Sequence, residues 1–416
     1  MPINIQRLME NFTRISEIGE QPDGGISRLA FSEPYFKAAH ELFDVLSQGT
    51  GCQVYRDLTG SIHAVRQGTC PGLSQIVIGS HLDTVPDGGR YDGLSGIMAG
   101  AEMMRALEED EIQLRHPLHL IAFNAEEAGP LGGTFSSRAM LGSLSLDSQT
   151  AKNSLVIAEA ELQDLPKAES GIDKAKCFLE LHIEQGGILD EEKIQIGAVT
   201  GIFGIRRYHI VLIGEANHAG TTPMSQRLDP MVNAARLITM IYQKASAFGK
   251  KLVATVGKVD VFPNLESVIP GQVELVLEMR SLSDDAMDQL LAEITAFADT
   301  FSNAETGWPV TPCTIQLKVE KPPLMLDRQM RELVEESCRT LEVSCIQIPS
   351  GAGHDAKSFA AAGIPTGMIF IPSIGGKSHC PQELTLPDQL EQGTRVLYEM
   401  ICSLDREDRF SEQKKG

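Results

Sequence analysis

The chain is 416 residues long, with 42% hydrophobic and 22% charged residues, the composition of a globular protein and not of a disordered or fibrous one. Lys and Arg number 36 against 56 Asp and Glu, and the resulting charge of −20 repels phosphate backbones and anionic lipid. Nucleic-acid and membrane partners are therefore not expected, whereas a small anionic substrate held by a local Arg is compatible with this charge.

No run reaches the roughly 18 apolar residues of a membrane span. Residues 1–18 lack the apolar core of a secretion signal, so a cytoplasmic protein with its eight scattered cysteines reduced is expected. Ile5, Leu8, Phe12 and Ile15 recur at helical spacing behind Asn4, which predicts a first helix with a side-chain N-cap. Residues 75–79 read as a buried strand, 94–106 as a helix and 118–124 as the next strand. That order implies α/β layers and a largely parallel sheet flanked by helices. Ligands in such sheets collect at the carboxyl ends of strands.

From 207 to 322 the pattern changes. Residues 208–213 alternate, a helix follows over 230–248, then strands at 252–259 and 272–280, a helix at 284–301 and alternation again at 314–319. The order β-α-β-β-α-β is ferredoxin-like and closes on itself. Beyond Pro322-Pro323 the α/β pattern resumes with a helix at 329–340, a strand at 365–371 and a helix at 388–403. The sequence thus predicts a catalytic domain in two parts, 1–206 and 323–416, around an inserted α+β lid or dimerisation domain at 207–322. The charged tail 405–416 is expected to fray.

Five segments gather metal-ligating and acidic residues near predicted element ends. They are Ser80-His81-Leu82-Asp83, Tyr91-Asp92-Gly93, Asn124-Ala125-Glu126-Glu127, Leu181-His182-Ile183-Glu184-Gln185-Gly186 and Ser378-His379-Cys380-Pro381-Gln382-Glu383. One residue separates His81 from Asp83, so an extended chain points both the same way. Two adjacent acids can divide work, one binding metal and one handling protons. Three His, one Asp and one Glu suit two borderline metals bridged by a carboxylate.

These segments, in this order around an inserted small domain, resemble the two-metal amidohydrolase and exopeptidase superfamily that includes aminoacylase and carboxypeptidase G. Leu181-His182-Ile183-Glu184-Gln185-Gly186, Asn217-His218-Ala219-Gly220-Thr221-Thr222-Pro223 and Gly353-His354-Asp355-Ala356 narrow the likeness to its ureido-hydrolase branch. That branch comprises allantoate amidohydrolases, N-carbamoyl-L-amino acid hydrolases and β-ureidopropionases, whereas exopeptidases of the superfamily usually carry an acid at the His182 position. The resemblance implies two divalent ions per subunit, Zn or Mn. His81 and His182 would bind one, Glu127 and His379 the other, and Asp92 would bridge.

The resemblance further implies that Glu126 is the general base and then the acid for the leaving nitrogen. Asp83 would orient His81, and His218 would stabilise the oxyanion from its own or a partner subunit. Arg280 would clamp a substrate carboxylate, with Gln185 and His354 in contact near the metals. Arg206, in an Arg-Arg-Tyr run similar to that of allantoate amidohydrolases, aligns with a substrate-contacting residue. Ser267 stands where the family commonly has a substrate-holding Asn, and Asn264 is the nearest Asn. The stretch 129–133 departs from the family's usual run and would alter the pocket wall.

The activity so implied is hydrolysis of a ureido acid, releasing ammonia and carbon dioxide. A related metallo-exopeptidase or aminoacylase and a non-catalytic binding protein of the same fold are the alternatives. A homodimer through the inserted domain is expected, with 208–213 or 314–319 as pairing edges and Arg206-Arg207 and Pro322-Pro323 as hinges.

Overall fold

The computed structural model describes residues 3–127, 132–144, 172–303 and 307–406. The apolar runs form strands buried along their whole length: β3 (Ile76–His81), β4 (Leu118–Phe123), β5 (Cys177–Ile183) and β15 (Thr366–Ile371). Such strands suit a sheet covered on both faces. They pair in parallel, β4 with β3, β3 with β5 and β5 with β15. A hairpin of β1 (Gln53–Arg56) and β2 (Ile62–Arg66) extends this sheet antiparallel to β4. On the other side β6 (Ile196–Ile202) pairs antiparallel with β15, and β14 (Cys345–Ser350) pairs with β6.

The helices Ile5–Ser16, Leu94–Glu109 and Pro387–Arg406 supply much of the core around this sheet, with Leu8, Ile97, Met103, Leu397 and Ile401 buried. Asn4 caps the first helix by accepting from the Arg7 amide, as its spacing predicts. All eight cysteines remain thiols. Among the described residues no helix is long and apolar enough to cross a membrane.

The chain divides into two compact units, Met1–Thr200 with Met325–Gly416, and Gly201–Leu324. The divisions fall a few residues outside the 206/207 and 322/323 boundaries suggested by composition, because the strand ending in Tyr208–Ile213 starts earlier. This strand, β7 (Gly204–Ile213), takes Arg206 and Arg207 into the inserted unit as strand residues, so neither belongs to the first part of the catalytic domain.

The inserted unit is an antiparallel sheet in the order β12 (Cys313–Lys321), β7, β11 (Gln272–Ser281), β9 (Leu252–Phe262), with the helices Pro230–Ser246 and Asp284–Asp299. Val273, Leu275, Leu277 and Met279 of β11 alternate inward and pack with Leu237, Ile241, Leu290 and Ile294 of the helices. The expectation that 208–213 is a pairing edge is corrected here. β7 lies between β12 and β11, so its ladder groups are used on both sides, and the edges are β12 and β9. The tail beyond residue 406 lies outside the described residues.

Candidate metal centre

Four strand ends and the loops after them converge on Asp92. His81 is the last residue of β3 and His182 lies near the end of β5, while Glu126 and Glu127 follow β4 and His379 follows β15. Asp92 presents one oxygen to each side. Its Oδ1 stands 3.4 Å from His81 Nε2 and 3.0 Å from His182 Nε2. Its Oδ2 stands 3.1 Å from His379 Nε2, which is 3.2 Å from Glu127 Oε1. The two imidazole nitrogens His81 Nε2 and His182 Nε2 are 3.4 Å apart.

Tetrahedral coordination with bonds near 2.05 Å requires donor–donor edges of about 3.3 Å. The three edges of His81–Asp92–His182 and the two His379 edges of Asp92–Glu127–His379 match that spacing, and their His and carboxylate donors are those that borderline divalent cations prefer. The residues therefore fit two metal ions sharing Asp92. Glu126 lies against the first triad, with a ligand atom within 4.8 Å of His81 and of Glu127.

The two buried imidazoles are aimed by backbone carbonyls. His81 Nδ1 is 2.9 Å from the Asp83 carbonyl oxygen and His182 Nδ1 is 2.8 Å from that of Ile183, so both rings turn Nε2 toward Asp92. This corrects the role expected for Asp83. Its side chain does not orient His81; Oδ1 and Oδ2 accept the amides of Glu126 (3.1 Å) and Glu127 (3.2 Å). Asp83 lies beyond the end of β3, and the amides after β4 capture its carboxylate, so the same-face rule for extended chain does not decide its partner. One carboxylate thereby holds both members of the glutamate pair.

Three residues at the site sit at left-handed φ without being glycine: Ala125 at 57°, Gln185 at 59° and His379 at 56°. Strain of this kind costs on the order of 1–3 kcal/mol each and persists only where surroundings enforce it. Gly93, at φ 66°, shows why a glycine follows Asp92, since a Cβ there would lie 2.6 Å from the His81 ring.

Electrostatics follow from burial. Burial would raise the Asp92 carboxyl, but hydrogen bonds from His182, His379 and His81 hold it well below the usual carboxylate range. Hydrogen bonds to Asp92 and then Glu127 push His379 up to about 10. Burial, and secondarily the neighbouring carboxylates Asp355 and Glu127, pushes Glu126 well above its ordinary value, although His81 pulls the other way. A raised carboxyl next to a ligand set is the arrangement of a proton carrier.

Gln185 donates to Asp92 Oδ2 at 2.9 Å and so faces the shared carboxylate. His354 is buried edge-on to the His182 ring at 4.5 Å, with Nε2 2.8 Å from Ser350 Oγ. Burial pushes its pKa well down, so it is a neutral imidazole.

His218, Arg206, Arg280, Asn264 and Ser267 belong to the inserted unit. His218, in β8 (Asn217–His218), is exposed, and its Nδ1 accepts the amides of Gly220 (2.9 Å) and Thr221 (3.2 Å). An imidazole that accepts at Nδ1 carries its proton on Nε2 and presents a donor. Asn264 and Ser267 are exposed in the segment before β10 (Val268–Ile269), and the Ser267 carbonyl accepts the Ala219 amide at 2.9 Å. Arg280 donates from Nε to Glu278 at 2.8 Å. Arg206 is engaged by Asp284, Asp288 and Glu320 together, a partner set that spacing alone did not reveal. Of the departing stretch 129–133, residues 129–131 lie outside the described residues.

Two buried acids have roles that the sequence reading did not assign. Glu180 accepts Ser80 Oγ at 3.2 Å and the Ala356 amide at 2.9 Å, tying β3 and the helix after His354 to β5. Its signal was present, because residues 180 and 182 share a strand face. Glu383 accepts the amides of Tyr91 and Asp92, and no periodicity marks it.

A mainly parallel sheet that brings two donor triads together on one carboxylate, with a buried acid beside them, suits metal-dependent hydrolysis. The chain belongs to Peptidase family M20/M25/M40, whose sequence profile matches residues 77–403. It is 35% identical over 408 residues to an N-carbamoyl-L-amino acid amidohydrolase of Geobacillus stearothermophilus, covering 96% of this chain and 98% of that protein. It is 33% identical over 414 residues to an allantoate amidohydrolase of Escherichia coli (strain K12), covering 96% and 98%. Among solved structures, a hydantoinase/carbamoylase family amidase from Burkholderia multivorans superposes with a TM-score of 0.86 at 29% identity, covering 97% of this chain and 98% of that one.

Proposed function

We propose that the chain hydrolyses a C–N bond of a ureido acid, an N-carbamoyl-L-amino acid or an allantoate-like substrate, releasing ammonia and carbon dioxide. The observation that carries this reading is Glu126, a buried carboxyl beside both triads that is not needed as a ligand. The names of the relatives supply the substrate class. Each such substrate bears a carboxylate.

His81, His182 and Asp92 would hold one divalent ion, and Asp92, Glu127 and His379 a second, with Zn and Mn the candidates. When bound, such ions supply Lewis acidity, making water a nucleophile near neutral pH and polarising the ureido carbonyl. Glu126 takes a proton from the attacking water on its carboxylate and delivers it to the leaving nitrogen. Asp83 keeps Glu126 in place through the backbone. His218 offers its Nε2–H to the developing oxyanion, and loss of one such donor typically costs about 2.7–4 kcal/mol of barrier. Arg280 recognises the substrate carboxylate with a bidentate fork. Gln185, His354, Asn264 and Ser267 shape the remaining contacts. For Arg206, three carboxylate partners favour a structural part within its own unit. The inserted unit serves as lid and homodimer surface, with β12 and β9 as pairing edges, and the protein works in the cytoplasm.

The test is ammonia release from allantoate, N-carbamoyl-L-amino acids, N-carbamoyl-β-alanine and ureidoglycolate, and amino-acid release from short peptides, with and without Zn or Mn. Metal-dependent release from at least one ureido acid supports the reading. Cleavage of the peptides alone contradicts it.

A further inference from the structure

We propose that Glu383 is a positioning residue of the metal centre, a carboxylate that locks the Asp92 loop to the His379 loop and so sets both metal sites at once. The inference rests on the two-metal reading above. Glu383 is 5% exposed and belongs to neither donor triad. Its Oε1 accepts the Tyr91 amide at 2.8 Å and the Asp92 amide at 3.0 Å. Its Oε2 accepts the hydroxyl of Ser378, the residue before His379, at 2.8 Å. Ser378 Oγ also lies 3.3 Å from Asp92 Oδ2. One side chain therefore fixes the backbone of the shared ligand and, through a single hydroxyl, the start of the segment that carries His379.

The chain makes room for this arrangement. Gly89 lies so close to Glu383 that a Cβ there would be 2.1 Å from the carboxyl carbon. The far side of the same loop is pinned independently, with paired hydrogen bonds of 2.9 Å between Ile26 and Gly88. Glu383 thus closes the one side of the Asp92 loop that faces His379. Three donors converge on its two oxygens, two on Oε1 and one on Oε2, so the side chain holds both loops through its acceptors, while burial and then the Asp92 charge push its pKa up. Partners that hold metal ligands without touching the metal typically matter by about 10–100-fold in affinity.

A purely structural clamp would lower stability without changing metal affinity, so the test compares two clamps of the same kind. Asp57 is the control, because its carboxylate accepts the amides of Thr59 and Ser61, both at 2.9 Å, and the Thr59 hydroxyl at 2.7 Å, outside the metal centre. Affinities for Zn and Mn are measured by equilibrium dialysis against a chelating competitor, with thermal melting recorded on the same metal-free samples. Glu383→Ala is expected to weaken binding of both ions about 10–100-fold. Glu383→Gln, which can keep the two amide bonds and the fold but loses the charge, is expected to fall between the native protein and the alanine variant. Gly89→Ala, which displaces the carboxylate without altering any ligand, is expected to resemble Glu383→Ala. Asp57→Asn is expected to melt earlier and bind both ions as the native protein does.

Native affinity in folded Glu383→Gln or Glu383→Ala overturns the proposal, as does an equal loss in Asp57→Asn. If Glu383→Ala does not fold, Glu383→Gln decides by the same criterion. Failure of the native protein to bind either ion would instead strike the two-metal reading itself.

Discussion

In the larger unit, His81, His182 and Asp92 are no more than 4% exposed, and their rings and loops are aimed by Asp83, Ile183 and Glu383 before any ligand arrives. In the inserted unit, His218, Asn264 and Ser267 are exposed, and Arg280 and Arg206 hold carboxylates of their own unit. The contrast separates two tasks. Metal and proton chemistry needs donors fixed to within tenths of an ångström, which strand ends and buried clamps supply. On the proposed function, substrate recognition would use groups whose present partners a substrate carboxylate or oxyanion can replace.

This contrast can be broken by mutation, and the largest effect is expected in the fixed half. Glu126→Gln should lower kcat by about 10²–10⁴ while both ions stay bound, since it removes a proton carrier and no ligand. Metal analysis beside steady-state kinetics checks this, and loss of metal with preserved turnover would exchange the roles of Glu126 and Glu127. In the exchangeable half, Arg280→Lys should raise KM for carboxylate substrates by roughly tenfold or more, because the charge stays and the fork is lost. Neutral ester or amide analogues should be nearly indifferent to the change, and an equal penalty on both would make Arg280 structural.

The charge state of the fixed half gives a third test. In the metal-free protein His379 holds its proton up to about 10, through Asp92 first and Glu127 second. A metal must displace that proton, so affinity should rise with pH toward about 10, by about tenfold per pH unit for each proton released. Calorimetric titration at pH 8 in buffers of differing ionisation enthalpy should show net proton release, and identical heats in all buffers would refute it. The smallest effect is expected for Arg206→Ala. Loss of a guanidinium shared by three acids should cost about 1–2 kcal/mol of stability and leave KM unchanged. A large rise in KM would return Arg206 to the substrate site.

Much of this was legible in the sequence for specific reasons. Strands β3, β4 and β15 announce themselves as apolar runs, and the helices around Leu94 and Pro387 by period. His81, His182 and Glu127 stand at or just after strand ends, where an α/β sheet places chemistry, and the family likeness assigned each of the five ligands a metal. What remained hidden depends on tertiary geometry. The Asp83 carboxylate leaves its expected partner because it accepts the amides of Glu126 and Glu127 across the strand ends. Glu383 acts on residues nearly three hundred positions away, which no local pattern encodes. The three acids around Arg206 come from a helix and a neighbouring strand. The burial of β7 between β12 and β11 likewise follows from sheet order, which alternation within one strand cannot convey.

The central claim is that one carboxylate, Asp92, serves two ions. Counting bound metal by mass spectrometry in the native protein, His379→Ala and Asp92→Asn tests it most directly. The account predicts two ions per chain in the native protein, one retained in His379→Ala, and loss of both in folded Asp92→Asn. An Asp92→Asn protein that keeps one tightly bound ion would show that the triads do not share their carboxylate.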